Sequence, residues 1–178
     1  MVELKKLSLK DGNDIHEMLQ TMPADENGFI NPCKGKTFEE YKAWLAEQDN
    51  FSKGIDMPDW MVAQDIYWLY VDEKPAGMGK LRHSLTEALK KDGGHCGYGI
   101  APAFRGKGHG KTLLKLLAQK AKLLGIGHML VTIDNHNAAS VGVALGCGGV
   151  VDKITDTKHY IWIDTSNANQ WLKSQYPL

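Results

Sequence analysis

Apolar and polar positions alternate differently along the chain, and each pattern predicts an element. The N-terminal segment VELKKLSL alternates with a period of two, as a half-buried strand does. Two segments with helical spacing follow, Asp11 to Met22 and TFEEYKAWLAEQ, and in the second one Thr37 and Glu40 have capping-box spacing. The segment between them, ADENGFINPCKGK, is polar and contains Gly and Pro, and predicts a loop.

The middle of the chain predicts β-structure. In DIYWLYVDEKPAGMGKLRHSL, two runs rich in β-formers flank the turn residues DEKP, which indicates a hairpin. The segment LTEALKKDGG predicts a helical turn, and HCGYGIAP predicts a strand that ends at Pro102.

The segment GHGKTLLKLLAQKAKLLG has the clearest helical pattern. Leu113, Leu117 and Leu124 are expected on one face, and Gly125 supplies the C-terminal stop. The nearly apolar HMLVTID predicts a strand buried on both faces, NAASVGVALGC a short helix, and GGVVDK and KHYIWID closing strands. The predicted order, β-α-α-β-β-β-α-β-α-β-β, describes one α/β domain over residues 1–178 with no repeat. Its crossover places a Gly-rich loop between a strand end and a helix N-terminus, where α/β sheets bind ligands.

Composition excludes several classes. The 178 residues include 21 basic and 21 acidic side chains, so no overall charge indicates a nucleic-acid or membrane-surface partner. The three cysteines, Cys33, Cys96 and Cys147, lack metal-ligand spacing and predict reduced thiols and no metal site. No apolar run has transmembrane length and the N-terminus has no signal-peptide pattern, so we expect a cytoplasmic protein.

The loop RGKGHGKT, at 105–112, carries the candidate chemistry. Its end matches a nucleotide-binding P-loop, and Asp134 after an apolar strand would suit a magnesium ligand. However, Arg105 stands where that motif requires its first glycine. A dinucleotide loop fails as well, because Lys111 stands where its third glycine should be.

A different motif fits every position. Residues 105–110 have the form [RQ]-x-x-G-x-[GA] and follow the strand segment YGIAPAF; NAAS at 137–140 and the glycine pair at 148–149 come later. This arrangement resembles the acetyl-CoA signature of the GNAT family of N-acetyltransferases, with a cofactor-binding core at about 94–151. The resemblance implies a GNAT-like acyl-CoA N-acyltransferase fold, an α+β architecture in which helices flank a central mixed, mostly antiparallel sheet. A helix N-terminus, flexible glycines and a basic stretch from 105 to 125 without acidic residues also suit a polyanion.

The resemblance also implies an activity, the transfer of an acetyl group from acetyl-CoA to a primary amine by direct attack. The backbone N–H of Ile100 would polarise the thioester carbonyl. The family's proton-donating tyrosine is replaced by Ala144, counting along the motif. His95 could act as base or be structural, and Tyr98 could act as base or only pack. Asn137 could contact the cofactor or cap a helix. The implied cofactor-binding residues are Tyr98, Gly99, Ile100, Arg105, Gly106, Lys107, Gly108, His109, Gly110, Lys111, Asn137 and Ser140.

The acceptor amine is not named by any motif. Asp25 and Glu26 could attract a cationic acceptor or be solvated acids. Trp60 and Met61 are expected to be exposed, as a lid or interface, or else to pack on the helices. The strand KHYIWID could pair across a homodimer or be covered by the tail that carries Trp171 and Tyr176. Because Ala144 replaces the family's tyrosine, a CoA-binding sensor or degenerate domain stays open as the alternative to an enzyme.

Overall fold

Two β-sheets and five helices make up the computed structural model, which describes residues 1–166 and 168. The helices are α1 (Asn13–Thr21), α2 (Phe38–Ser52), α3 (Glu87–Lys91), α4 (His109–Leu123) and α5 (Ala138–Gly146). The strands are β1 (Val2–Lys6), β2 (Asp25–Glu26), β3 (Phe29–Ile30), β4 (Gln64–Val71), β5 (Lys74–Arg82), β6 (Cys96–Ile100), β7 (His128–Asp134), β8 (Val150–Ile154) and β9 (Lys158–Asp164). Every helix in these ranges is too short or too polar to traverse a lipid bilayer.

The first sheet has the order β1-β4-β5-β6, and the second has the order β7-β9-β8. Both are antiparallel, and β2 and β3 form a separate small hairpin. The predicted β4–β5 hairpin is confirmed, and it turns at Asp72 and Glu73, whose φ angles of 47° and 64° suit the right-handed twist of the flanking strands. The α+β architecture with flanking helices is therefore as expected.

The first sheet is covered on both faces, which explains why β4 is apolar at successive positions. Trp68 and Met78 face α1 and α2, where they pack with Leu19, Tyr41 and Leu45. The alternate residues of these strands face α4 and the second sheet, and this cluster includes Leu69, Leu81, Leu113, Leu117, Met129 and Ile161. One sheet thus separates two hydrophobic clusters, and burial of both supplies most of the driving force for folding.

Beside this packing, the two sheets are hydrogen-bonded to each other where β6 begins, next to β7. The N–H of His95 donates to the carbonyl of Leu130 at 2.8 Å, and the N–H of Leu130 donates to His95 Nδ1 at 2.9 Å. Within residues 1–166 no further ladder joins the two strands, although α4 connects them as a crossover. Beyond His95 the strands leave open backbone and space between them, which is where the candidate site lies.

Several details differ from the sequence-based expectations. The loop at 24–36 contains the β2–β3 hairpin, whose two-residue strands are too short to produce an alternation pattern. Leu124, expected on one face with Leu113 and Leu117, is the C-cap of α4 and is 42% exposed, whereas the other two are buried. The capping box is confirmed: Glu40 N–H donates to Thr37 Oγ1 at 3.2 Å and Thr37 N–H donates to Glu40 Oε2 at 2.7 Å.

The expectation that the strand KHYIWID could pair with a second subunit was wrong. The strand KHYIWID is β9, and both of its edges are occupied by β7 and β8, so it has no free edge for a second subunit. The outer strand is β8, where Val150 is 69% exposed. Trp60 is exposed as expected, whereas Met61 is half-buried. Trp171 and Tyr176 lie outside the described residues.

Candidate functional site

The loop before α4 presents backbone N–H groups to solvent. Gly106 and Gly108 have φ angles of 73° and 81°, in the left-handed region that glycine adopts without strain. Gly108 is the N-cap of α4 and has no side chain that could cap the helix. The first backbone hydrogen bond within the helix is donated by the N–H of Thr112 to the Gly108 carbonyl, at 3.2 Å. The N–H groups before Thr112 are therefore available to an anion at the positive end of the helix dipole.

Strand β6 presents a second set of polar backbone groups. The N–H of Ala101 donates to the Ala76 carbonyl at 2.9 Å. Because every second residue of an antiparallel strand hydrogen-bonds to the same neighbour, Gly97 and Gly99 also bond to β5. The N–H and carbonyl of Ile100 consequently point away from β5. The carbonyl accepts a 2.8 Å hydrogen bond from Arg105 Nε.

A cavity of about 500 Å³ joins the α4 loop to strand β6. It is closed by the N-terminus of α5 and by the β2–β3 hairpin. Its lining includes nearly all of the residues singled out as cofactor-binding: Tyr98, Gly99, Ile100, Arg105, Gly106, Gly108, His109, Gly110, Lys111, Asn137 and Ser140. We call this space the donor cavity.

Arg105 has a partner that sequence reasoning missed. Its guanidinium forms a bidentate ion pair with Glu26 of the hairpin, in which Nη1 lies 3.0 Å from Oε1 and Nη2 lies 2.6 Å from Oε2. Both side chains are close to 40% exposed, at 40% and 43%, so the pair contributes little to stability. It nevertheless ties the hairpin to the Gly-rich loop and offsets the charge of Glu26, which was expected to attract a cation or to be solvated.

A second cavity, of about 160 Å³, adjoins the first. We call it the acceptor cavity, because it is the candidate site for the amine that the sequence predicts as acceptor. It lies between the hairpin, strand β5 and the divergent ends of β6 and β7, and Tyr98, Asn137 and Ser140 line both cavities. Phe29 of the hairpin packs over Gly99, where a Cβ would lie 2.8 Å from its ring, so this position of β6 requires glycine.

The acceptor cavity carries charges of both signs. Lys158 Nζ binds Asp134 at 2.6 Å and Asp92 at 3.1 Å. On the opposite wall, Lys80 Nζ donates to the Ile30 carbonyl at 3.1 Å, and Arg82 Nη1 donates to the carbonyls of Gly93 and Gly94 at 3.0 and 3.1 Å. Burial, together with the nearby Arg82, lowers the pKa of Lys80 from 10.5 to about 8.

A comparison with models of protein families identifies the family to which the chain belongs. The family model described as Acetyltransferase (GNAT) family matches residues 29–148. The chain belongs to the GNAT family of acetyltransferases. The matched range contains the donor loop, both sheets' contact point and most of the two cavities, so the resemblance carried by the loop is confirmed.

Solved structures of GNAT proteins share the fold. An N-acetyltransferase from Staphylococcus aureus Mu50 is 15% identical, with a TM-score of 0.63 over 93% of this chain and 99% of that one. Mutant forms of the spermidine/spermine N-acetyltransferase SpeG from Vibrio cholerae are 15% identical, with a TM-score of 0.62 over 96% of this chain and 99% of that one. The N-acetyltransferase PseH from Campylobacter jejuni, solved in complex with acetyl coenzyme A, is 13% identical, with a TM-score of 0.60 over 93% of this chain and 100% of that one. Curated protein sequences contain no significant match to the chain.

His95 occupies a structural position in this GNAT protein. It is only 8% exposed, lines neither cavity, and its Nδ1 accepts the Leu130 N–H. Burial, and secondarily the charge of Arg82, lowers its pKa from 6.5 to about 4. The ring is therefore neutral at ordinary pH, and its contacts favour the structural alternative over the base.

Tyr98 lies at the junction of the two cavities. Its hydroxyl is 2.9 Å from Ser140 Oγ, and burial raises its pKa well above the ordinary value of 10. Asn137 caps α5 by accepting the Ser140 N–H at 3.1 Å, so its expected capping role is confirmed, while it also lines both cavities. Ala144, the counterpart of the family's tyrosine by count, is completely buried.

The basic stretch from 105 to 125 is only partly at the site. Lys115 is 8% exposed, Lys120 lies 5.9 Å above the Tyr67 ring, and Lys122 donates to the Ser166 carbonyl at 2.7 Å. Lys107 donates to the Ala103 carbonyl at 3.3 Å and is absent from the cavity lining. Of the six cations, Arg105 and Lys111 line the donor cavity, so backbone N–H groups provide more of the anion site than the sequence indicated.

Proposed function

We propose that this protein is an N-acetyltransferase that moves the acetyl group of acetyl-CoA onto a primary amine. The supporting observation is the connection between the two cavities. The donor cavity, built from open backbone N–H groups, meets the acceptor cavity at Tyr98, Asn137 and Ser140, so that donor and acceptor can react across a shared boundary. A volume of about 500 Å³ lies within the usual range for a small-molecule site.

The residues of the donor cavity fit acetyl-CoA. The N–H groups at the start of α4, with Lys111 nearby, suit its pyrophosphate, because they offer several donors at a positive helix end. The outward N–H and carbonyl of strand β6, from Tyr98 to Ile100, suit the amide groups of the pantetheine arm. Asn137 and Ser140 would complete the wall from α5.

The reaction needs an oxyanion donor and a route for protons. The amine nitrogen forms a bond to the thioester carbonyl carbon, the carbon–sulfur bond breaks, and the thiolate of CoA leaves. The N–H of Ile100 is oriented to stabilise the negative charge that develops on the carbonyl oxygen. The acceptor nitrogen must be neutral to attack and releases its surplus proton to solvent.

Tyr98 is our candidate for protonating the leaving thiolate. Its raised pKa keeps the phenol protonated at neutral pH, which suits a proton donor and not a base. We expect Tyr98→Phe to lower kcat about 30-fold, because water can replace the phenol only poorly, and to leave the affinity for acetyl-CoA within about 2-fold. Tyr160→Phe is the matched control, because the Tyr160 hydroxyl donates to the Lys91 carbonyl and lines neither cavity.

Acetyl-CoA binding and release of free thiol test the function separately. Calorimetry measures binding, and a thiol assay measures turnover with polyamines, amino acids, aminoglycosides and peptide N-termini. The proposal is wrong if acetyl-CoA does not bind. Tight binding without thiol release from any of these amines would instead identify the CoA-binding sensor.

A further inference from the structure

The wall of the acceptor cavity on β5 carries two cations, Lys80 and Arg82, that have no ion-pair partner among the described residues. Lys80 and Arg82 are two residues apart on one strand and therefore point to the same face. In the part of the chain that the structure describes, both donate hydrogen bonds only to backbone carbonyls: that of Ile30 for Lys80, and those of Gly93 and Gly94 for Arg82. The Lys80 ammonium also lies 5.5 Å from the centroid of the Phe29 ring. Two half-buried cations side by side repel each other, and this wall is electropositive.

The acids around the cavity offset the charge of that wall only in part, since Asp92, which acts on Arg82 through space, also binds Lys158. Asp92 and Asp134 share the ammonium of Lys158, and Glu26 is held by the guanidinium of Arg105. Each carboxylate that lines the cavity is therefore already engaged by a cation. A polycationic acceptor would share these carboxylates with Lys158 or Arg105, whereas an anion would find Lys80 and Arg82 with no carboxylate partner among the described residues.

The distance from the reaction centre suits a small acceptor. Lys80 lies opposite Gly97 in the β5–β6 register, and Ile100 is three residues further along β6, or about 10 Å at the usual rise per residue. The side chain of Lys80 lines the cavity of about 160 Å³. One compact molecule can therefore have its amine at the thioester and another group at the β5 wall.

We propose that the acceptor is a small amine that also carries an anionic group, a carboxylate or a phosphate, and that Lys80 and Arg82 bind this group. The inference rests on the proposed function and specifies its acceptor. Charge-assisted hydrogen bonds to an anion would replace the repulsion between the two cations, and they are stronger than the bonds to carbonyls that each now makes. Lys80 and Arg82 are then the residues that determine specificity.

Matched pairs of amines test this directly. Glycine, β-alanine and 4-aminobutyrate are each compared with their amides, and O-phosphoethanolamine with ethanolamine; spermidine is the cationic reference. The length series reports the spacing between the amine and the anion, and the phosphate pair distinguishes the two kinds of anion. For the best pair we expect kcat/KM to favour the anionic member at least about 10-fold, as one or two charge-assisted hydrogen bonds would produce.

Variants of one strand provide the control. Lys80→Met should reduce that preference to about 2-fold or less, mainly through KM, while Lys74→Met, at the exposed start of the same strand, should retain it. Lys80→Gln serves as a second variant if the methionine protein does not fold. The affinity for acetyl-CoA should be the same in all of these variants, because Lys80 lines the acceptor cavity and not the donor cavity.

The outcomes are distinguishable from failure of the function itself. Equal or better turnover of the amides, ethanolamine or spermidine by the unmodified protein overturns the inference while leaving the acetyltransferase in place. If no amine is acetylated, calorimetry in the presence of CoA compares N-acetylglycine with N-acetylglycinamide and their longer homologues. Preference for the acids that Lys80→Met abolishes supports the anion site, and equal binding of acids and amides rejects it.

Discussion

The two cavities are adjacent, but they are built in different ways. The donor cavity takes most of its polar groups from the backbone of one continuous segment, 98–111, and of the α5 N-terminus. The acceptor cavity takes its polar groups from side chains of separate elements: Glu26, Lys80 and Arg82, Asp92, Asp134, and Lys158. A site made of local backbone geometry leaves a motif in the sequence, whereas one made of distant side chains leaves none.

The largest effect should come from breaking the backbone site. Gly108→Asp places a carboxylate at the N-cap of α4, where φ is 81° and where the pyrophosphate is expected. We expect acetyl-CoA to bind at least about 100-fold more weakly, because like charges a few ångströms apart repel by several kcal/mol at a protein surface. Calorimetry measures the change.

Gly125→Asp is a close control for this variant. Gly125 follows the other end of the same helix, has a φ of 78°, and like Gly108 has open space around its Cα. Its affinity for acetyl-CoA should stay within about 2-fold of the unmodified protein, since the charge is far from the loop. Similar losses in both variants would mean that the helix, and not the anion site, was damaged.

A second prediction concerns His95, which joins the two sheets through its contacts with Leu130. Its folded-state pKa of about 4 lies below the ordinary 6.5, so the unfolded chain binds a proton that the folded chain does not. Stability is therefore complete above pH 6.5 and is lost as the pH falls from 6.5 to about 4, by about 3 kcal/mol in total. Urea unfolding at several pH values measures it.

His95→Asn should flatten that dependence, and its side-chain oxygen can still accept the Leu130 N–H. The pH–rate profile of acetyl transfer should be the same in the variant, because a structural histidine takes no proton from the amine. If the low-pH limb of the profile, on which activity rises as a base loses its proton, disappeared with His95, the ring would be the catalytic base after all.

The smallest effect should come from the ion pair between the two cavities. Glu26→Gln releases Arg105 from its bidentate partner, and we expect acetyl-CoA to bind about 3-fold to 10-fold more tightly, with the gain falling at higher salt. Asp25→Asn removes the neighbouring exposed acid and should change affinity by less than about 2-fold. Equal gains in both variants would mean that general charge, and not the release of Arg105, was responsible.

The same contrast explains what the sequence could predict. The order of the long elements, the capping box at Thr37 and the glycine loop follow from local periodicity and turn chemistry, and the structure confirms them. The fold family followed from the loop motif. The partner of Arg105 could not be predicted, because Glu26 is separated from it by 79 residues and lies on a two-residue strand.

The catalytic residues were the less predictable part of the site. His95 resembles a base in sequence, but its burial and its bond to Leu130 depend on how two sheets meet. The role of Lys80 was not predicted, since a lysine on a hairpin strand is ordinarily solvated and its enclosure in a cavity depends on the fold. The roles of Ile100 and Tyr98, the cytoplasmic location and a homodimer stay predictions.

The β2–β3 hairpin is attached to the rest of the molecule by few interactions. Glu26 meets the donor loop, Phe29 covers Gly99, and the Ile30 carbonyl holds Lys80. Neither main sheet includes these residues. Since the hairpin lines both cavities and belongs to neither main sheet, we expect its mutation to change the shape of the site while the strands of both sheets keep their pairing.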